Sequence, residues 1–233
     1  MTDQDSLKQQ VAKTAVSLVG QKMLLGVGSG STVAYFIKEL AKVDDLRESV
    51  KAVSTSLDTS VLLAEHDIME ISLHSVQSQL DLTVDGADEV SNDFYLIKGG
   101  GAALLREKVL AYFSKKFVVI ADSSKLVELL GKFPVPVEVV PFALQPVSRE
   151  IKTVFGEDVQ TRVRTCKGKL GPLLTDNGNA IIDCFFEEIR DPAALEEKLN
   201  RIPGVLENGI FSRRPDVVLV GTPEGTKIQK LTK

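Results

Sequence analysis

Leu82-Thr-Val-Asp-Gly-Ala-Asp-Glu89 and, nine residues further on, Lys98-Gly-Gly-Gly-Ala-Ala-Leu-Leu-Arg-Glu-Lys108 decide how this chain reads. The first is a short apolar strand that runs into Asp85 and Asp88, with only Gly86 and Ala87 between them. Carboxylates at the carboxyl end of a strand, beside residues too small to fill the space, mark the place where open α/β sheets bind small molecules. The second stretch predicts a helix over Gly101–Phe113 led by Lys98, Gly99, Gly100 and Gly101. Free backbone N–H groups and the positive end of a helix dipole there can seat an anion. Glu107, two turns in, has Ala103, Leu104, Leu110 and Ala111 at helical spacing. A carboxyl against such an apolar surface has its pKa raised and suits base work near neutrality. Arg106 and Lys108 have equally apolar neighbours, so periodicity does not single Glu107 out.

Outward from these stretches, helical and extended patterns alternate. A stripe of Leu7, Val11, Ala15, Leu18 and Val19 predicts a helix over Ser6–Val19. Strands follow at Met23–Val27, Val50–Ser54, Ile68–Ser72, Leu82–Val84 and Phe117–Ala121, separated by helices at Val33–Val43, Leu57–Glu65 and Gly101–Phe113. Alternation of this kind implies a parallel sheet covered on both faces. After Lys132-Phe-Pro-Val-Pro136 the order becomes β-α-β-β-α-β: Val137–Val140, Pro146–Phe155, Val159–Val163, Ala180–Phe186, Pro192–Arg201 and Val205–Phe211. That is the ferredoxin-like arrangement. Pro215–Gly221 then reads as one more buried parallel strand. The fold class is therefore α/β: a Rossmann-like parallel-sheet domain over 1–130 and 212–233, with a smaller ferredoxin-like α+β lid domain inserted at 131–211.

Composition narrows the function. Of 233 residues 43% are hydrophobic, enough for a core, and the net charge of -4 gives no attraction to nucleic acid or an anionic membrane. The basic run Arg162-Val-Arg-Thr-Cys-Lys-Gly-Lys169 is short and reads as a solvated edge. No apolar run approaches the ~20 residues of a membrane span, and the first residues lack the pattern of a signal peptide. A cytoplasmic protein is expected. Cys166 and Cys184 are far apart, and His66 and His74 have no neighbouring ligands, so no metal site is expected.

The loop Gly26-Val-Gly-Ser-Gly-Ser-Thr32 matches neither the dinucleotide pattern G-x-G-x-x-G nor a triphosphate loop, which needs a lysine. What remains is a turn with hydroxyls on Ser29, Ser31 and Thr32 around Gly30, suited to one phosphate or to sugar hydroxyls. The plainer reading is a tight strand-to-helix turn with Ser31 as its cap. Asp85 and Asp88 could likewise be turn or cap residues, the commoner fate of Asp beside Gly. Lys98 and Lys125 stand out from surface lysines by their places beside Gly99 and after the strand end Ala121-Asp-Ser-Ser124.

In combination, Gly26–Thr32, Val84–Glu89, Ile97–Ala103, Arg106–Lys108, Gly131–Glu138 and Thr175-Asp-Asn-Gly-Asn179 resemble the type A ribose-5-phosphate isomerases. The strings match in order over nearly the whole chain. The resemblance implies interconversion of ribose 5-phosphate and ribulose 5-phosphate in the non-oxidative pentose phosphate pathway, through an enediol and without a metal or cofactor. It implies Glu107 as the proton-transfer base, with Ser29–Thr32, Asp85–Asp88, Lys98–Gly101 and Lys125 binding a sugar phosphate. By the same resemblance Lys98, Asp85 and Asp88 assist catalysis, and the chain forms a homodimer, with a tetramer as the alternative. Two features depart from the pattern: Ser29 stands where the family usually has Thr, and Glu157–Gly171 looks longer than in compact members.

Two other classes fit less well. A sugar-phosphate-sensing regulator needs a DNA-reading domain, and some 22 residues ahead of the first strand in an acidic chain do not supply one. A sugar-phosphate deaminase would be expected to use a histidine, and His66 and His74 lie outside the motifs.

Overall fold

The computed structural model describes residues 3–168 and 170–230, so Lys169 of the basic run lies outside the described residues. The chain divides into two compact units. One comprises Met1–Ala87, Arg106–Leu126 and Arg213–Lys233; the other comprises Asp88–Leu105 and Val127–Ser212.

The first unit is built on a six-stranded sheet in the spatial order Gly225–Lys230, Val217–Thr222, Phe117–Asp122, Leu82–Asp85, Leu24–Val27, Lys51–Ser54. All neighbours are parallel except the last hairpin, in which Gly225–Lys230 runs antiparallel to Val217–Thr222. Phe117–Asp122 and Val217–Thr222 are buried along their whole length, as their unbroken apolar runs require of strands covered on both faces. Each fully buried Val or Ile side chain contributes roughly 1.5–3 kcal/mol relative to exposure. The helix Ser31–Leu40 buries Val33, Phe36, Ile37 and Leu40, the spacing of one helical stripe. The helix Asp3–Val16 buries the compact side chains Val11, Ala12 and Ala15.

The order of strands places the ligand-binding end. From Leu24–Val27 the chain moves outward to Lys51–Ser54, then returns to the opposite side of Leu24–Val27 with Leu82–Asp85. The direction of winding therefore reverses between Leu24–Val27 and Leu82–Asp85, and a crevice opens outside the carboxyl ends of such a strand pair. Gly28–Thr32 and Asp85 occupy those ends.

In the second unit the strands Val205–Asn208, Val135–Val139, Ala180–Phe185 and Gln160–Val163 form an antiparallel sheet in that order, with helices Leu144–Phe155 and Pro192–Asn200. This is the ferredoxin-like order expected from the sequence. Val135, Val137 and Val139 join Ile182 and Cys184 in the core, and the alternate residue Glu138 is buried away from it. Thr175 Oγ1, Asn177 Nδ2 and Asn179 Nδ2 donate to Glu138 Oε1 at 2.9, 3.0 and 2.8 Å. The motif Thr175–Asn179 is thus a turn folded around one buried carboxylate.

Several expectations change. Val205–Phe211 is two strands, Val205–Asn208 and Ile210–Phe211, which pair with different sheets. The break falls at Gly209, where a Cβ would lie 2.2 Å from the Lys98 carbonyl oxygen and 2.5 Å from Pro136 Cδ. Ile210–Phe211 pairs with Leu96–Ile97, which pairs with Glu89–Ser91. The Glu89 carboxylate accepts from the backbone N–H groups of Gly131, at 2.8 Å, and Phe133. These bonds group Asp88–Leu105 with the second unit, whereas the sequence reading left that stretch in the first. Ile68–Ser72 reduces to a single bridge between Glu70 and Ala52. The hairpin strand Gly225–Lys230 was missed because Gly, Thr and Lys there break any apolar alternation.

Candidate active site

Within the first unit the site is assembled at the switch point. Val27 lies beside Val84, and Gly28 N–H donates to the Val84 carbonyl at 2.9 Å, so the chain turns away from the sheet alongside Asp85. Asp85 is fully buried, and its Oδ1 accepts from Gly86 N–H at 2.7 Å and from Ser29 N–H at 3.2 Å. A Cβ on Gly28 would stand 1.9 Å from that same oxygen. Asp85 is therefore a carboxylate locked between two loops; no helix follows for it to cap, while its bond to Gly86 N–H is one that the plainer reading as a turn residue also allows. Ser29 Oγ lies 2.7 Å from Thr55 Oγ1 and donates to Ser56 Oγ at 3.0 Å.

Ser31 is the first residue of its helix, with Gly30 at the cap and no side-chain cap bond. The plainer alternative, Ser31 as the cap, therefore does not hold: the Ser31 hydroxyl instead accepts from Lys8 Nζ at 3.0 Å. Thr32 follows in the first turn, where the backbone N–H groups lack intrahelical acceptors. Lys8 was not legible in the sequence, because a lysine on a polar helical face gives no signal until the helix is docked. On the same face, one turn earlier, Gln4 Nε2 donates to Asp122 Oδ2 at 3.3 Å. Asp122 ends the strand that leads to Lys125, and its Oδ1 accepts from Ser124 N–H at 3.0 Å. Burial pushes the Asp122 carboxyl up, but hydrogen bonds from Ser124 and Gln4 and the charge of Lys125 outweigh it and hold the pKa below the usual value. Glu107 is buried, 4% exposed, in the first turn of the helix Leu104–Tyr112.

That helix begins later than expected. Ala102 has φ 61° and donates its N–H to the Gly99 carbonyl at 3.0 Å, so Lys98–Ala102 is a tight turn ahead of Leu104. Gly99, Gly100 and Gly101 accordingly offer turn amides and not a helix N-terminus, and Glu107 lies one turn nearer the start of the helix than the sequence suggested. Lys98 is no surface lysine: it is 2% exposed, its N–H donates to the Gly209 carbonyl at 2.8 Å, and Nζ stands 5.6 Å from the centroid of the Phe211 ring. Asp88 Oδ2 accepts from Gly100 N–H at 2.8 Å. Both Asp88 and the glycine turn belong to the second unit.

The basic run is also corrected. Arg164 is largely buried and forms a bidentate pair with Asp183: Nε reaches Oδ2 at 3.1 Å and Nη2 reaches Oδ1. Its Nη1 donates to the carbonyls of Gly99 at 2.7 Å and Gly100 at 3.1 Å. Among the described residues no group of His, Cys, Asp and Glu is placed to hold a metal. Cys184 is buried, with its thiol pKa pushed up by burial and by Asp183, which removes it as a nucleophile or ligand.

Within the first unit, the buried carboxylate Asp85 beside the glycine- and hydroxyl-bearing loop that follows Leu24–Val27, at a switch point of the parallel sheet, marks the class of α/β proteins that bind small molecules there. Comparison with known proteins specifies which. The profile of ribose 5-phosphate isomerase A (phosphoriboisomerase A) matches residues 51–225. Ribose-5-phosphate isomerase A of Thermococcus kodakarensis is 46% identical over 226 residues, covering 96% of this chain and 97% of that one. The corresponding protein of Thermosynechococcus vestitus is 47% identical over 220 residues, covering 92% and 91%. Among solved structures, ribose 5-phosphate isomerase A from Methanocaldococcus jannaschii superposes with a TM-score of 0.92 at 43% identity, over 98% of this chain and 100% of that one. A D-ribose-5-phosphate isomerase in complex with phospho-erythronic acid gives a TM-score of 0.93 at 43% identity, again over 98% and 100%. The chain belongs to the ribose 5-phosphate isomerase A family.

Proposed function

We propose that this chain interconverts D-ribose 5-phosphate and D-ribulose 5-phosphate with Glu107 as the base, through an enediolate and without a metal. The observation that carries the assignment is the buried Glu107 carboxylate, set directly after the turn that holds Lys98. Aldose–ketose conversion moves a proton from C2 to C1 while charge develops on the sugar oxygens. Glu107 takes the C2 proton and returns it to C1. Lys98, a cation held in a buried position, offsets the negative charge on the enediolate oxygen, where a preorganised donor is worth more than in water. Asp85 and Asp88 bind hydroxyls and relay protons during ring opening and between O1 and O2.

The phosphate is assigned to Ser29–Thr32. The helix start at Ser31 supplies backbone donors, Lys8 lies against Ser31, and Lys125 follows Asp122, which the same face of the first helix contacts through Gln4. Held there, the phosphate supplies remote binding energy that fixes the open chain over the base. Gly99–Gly101 then serve the reacting end. The enzyme is read as a cytoplasmic homodimer, the dimer being what the family resemblance implies; light scattering distinguishes dimer from tetramer.

The deciding experiment mixes the protein, treated exhaustively with a chelator, with ribose 5-phosphate and follows ketose formation. Full activity is expected. Activity lost on chelation and restored by a divalent cation would overturn the metal-free route, and absence of turnover in both conditions would overturn the reaction itself.

A further inference from the structure

Arg164 has no place in the chemistry above, yet it touches the glycine turn that carries Lys98. The turn connects two fixed points, Lys98 at its start and the helix beginning at Leu104 at its end. Its middle consists of Gly99, Gly100 and Gly101, the residues with the greatest freedom to move. Something must hold that backbone if its amides are to meet a substrate in one geometry.

We propose that Arg164, clamped by Asp183, is a positioning residue that fixes and polarises the Gly99–Gly101 turn. Nη1 donates to the Gly99 and Gly100 carbonyls at 2.7 and 3.1 Å, while Nε and Nη2 are taken up by Asp183. A trans peptide points its C=O and its N–H in opposite directions. The N–H on the far side of the Gly99 carbonyl is that of Gly100, which donates to Asp88 at 2.8 Å. One peptide group is therefore held by a guanidinium at its oxygen and by a carboxylate at its nitrogen. The neighbouring peptide, with its oxygen also on Arg164, presents the Gly101 N–H in the same sense. A cationic donor on each carbonyl draws electron density toward the oxygen and makes the opposite N–H a better donor. Asp183 fixes the fork in space, which a flexible surface arginine would lack. Lysine cannot replace it, because a single ammonium lacks the planar set of donors that serves a carboxylate and two carbonyls together.

This inference rests on the reading of Lys98–Gly101 as part of the substrate site, and the test separates the two. The main variant is Arg164→Lys, which keeps a charge beside the buried Asp183. The reference is Glu138→Gln, which loosens the same unit at the Thr175–Asn179 turn. For each, kcat/KM for ribose 5-phosphate is measured well below the melting temperature, together with hydrogen exchange of the Gly100 amide by NMR. Arg164→Lys is expected to lower kcat/KM by about tenfold to a hundredfold, the scale of a small misplacement of reacting groups, and to speed Gly100 exchange. Glu138→Gln is expected to lower the melting temperature alone. In Arg164→Ala, added guanidinium ion at non-denaturing concentration should restore part of the lost kcat/KM. Should Arg164→Lys not fold, Asp183→Asn, which keeps the guanidinium and releases its clamp, carries the same decision. A folded variant with kcat/KM within about twofold of the parent, whatever its exchange, would overturn the proposal. A parent that does not turn over ribose 5-phosphate would instead overturn the functional reading, and Gly100 exchange would still decide whether Arg164 holds the turn.

Discussion

Gly28 and Asp85 touch so closely that no side chain fits at 28 while Asp85 keeps its place: a Cβ at Gly28 would stand 1.9 Å from Asp85 Oδ1 and 2.0 Å from Cγ. The contact joins the carboxyl ends of two adjacent parallel strands and packs a fully buried carboxylate against the backbone of the neighbouring loop. Glycine at 28 is thus a condition for the position of Asp85.

Gly28→Ala should consequently drive the Asp85 carboxylate out of place. Overpacking of this kind costs about 1–3 kcal/mol of stability. The effect on kcat should exceed the effect on folding, because the group that moves is part of the site. Parallel thermal melts and steady-state kinetics check this. An alanine variant with unchanged kcat would show that Asp85 tolerates displacement and takes no part in the reaction.

Glu107→Gln keeps the shape of the side chain and removes the base. The rate should fall by ~10²–10⁴-fold with the circular dichroism spectrum unchanged. In heavy water the parent should incorporate deuterium into product, since a carboxylate exchanges its proton with solvent at least partly. Turnover near that of the parent would remove Glu107 from its role, and strict absence of deuterium would be compatible only with a base shielded from solvent or with hydride transfer.

Why some of this could be read before the structure and some could not follows from the kind of signal each residue carries. Phe117–Ala121 and, after Pro215-Asp216, Val217–Gly221 announce themselves as buried strands because both faces are covered, so no position of either run is charged. Asp85 and Asp88 stand out only in combination, two carboxylates at a strand end with Gly86 and Ala87 between them, since an Asp beside Gly is by itself more commonly a turn or cap residue. Arg164 is hidden by its neighbours: a run with Arg162 and Lys167 reads as solvated, and only the pairing of Gln160–Val163 with Ala180–Phe185 brings Asp183 beside it. Gly209 fails for a similar reason. A lone glycine in an apolar run looks like a weak point in one strand, whereas it marks the crossing of the chain over the Lys98 carbonyl. Contacts between distant segments leave no periodicity, and these are the contacts that position the site.

Asp122 links stability to pH. Burial raises its pKa, but hydrogen bonds from Ser124 and Gln4 and the Lys125 charge depress it further, for a net lowering in the folded state. A depressed carboxylate contributes stability that is present above its unfolded pKa, ~3.9, and is lost as pH falls through the folded value. Asp122→Asn should therefore be less stable than the parent at neutral pH, with the gap closing as the solution is acidified below about pH 4. Denaturant melts across that range check the sign. A gap that stays constant would mean that Asp122 acts by packing and not by charge.

Lys125 tests where the phosphate sits. It lies in the turn after Phe117–Asp122, in the same unit as the helix start at Ser31 and as Lys8. Backbone donors at a helix N-terminus together with lysines favour a dianion, and hydrogen bonds to charged groups contribute roughly 1.5–3 kcal/mol each. Lys125→Ala should raise KM for ribose 5-phosphate by about tenfold to a hundredfold, the equivalent of one such contact, and change kcat less. Turnover of unphosphorylated ribose, which lacks the group Lys125 recognises, should be nearly unaffected. Equal losses with both substrates would place Lys125 at the reacting end or in support of the fold, and the phosphate would then have to be reassigned to the Lys98–Gly101 turn.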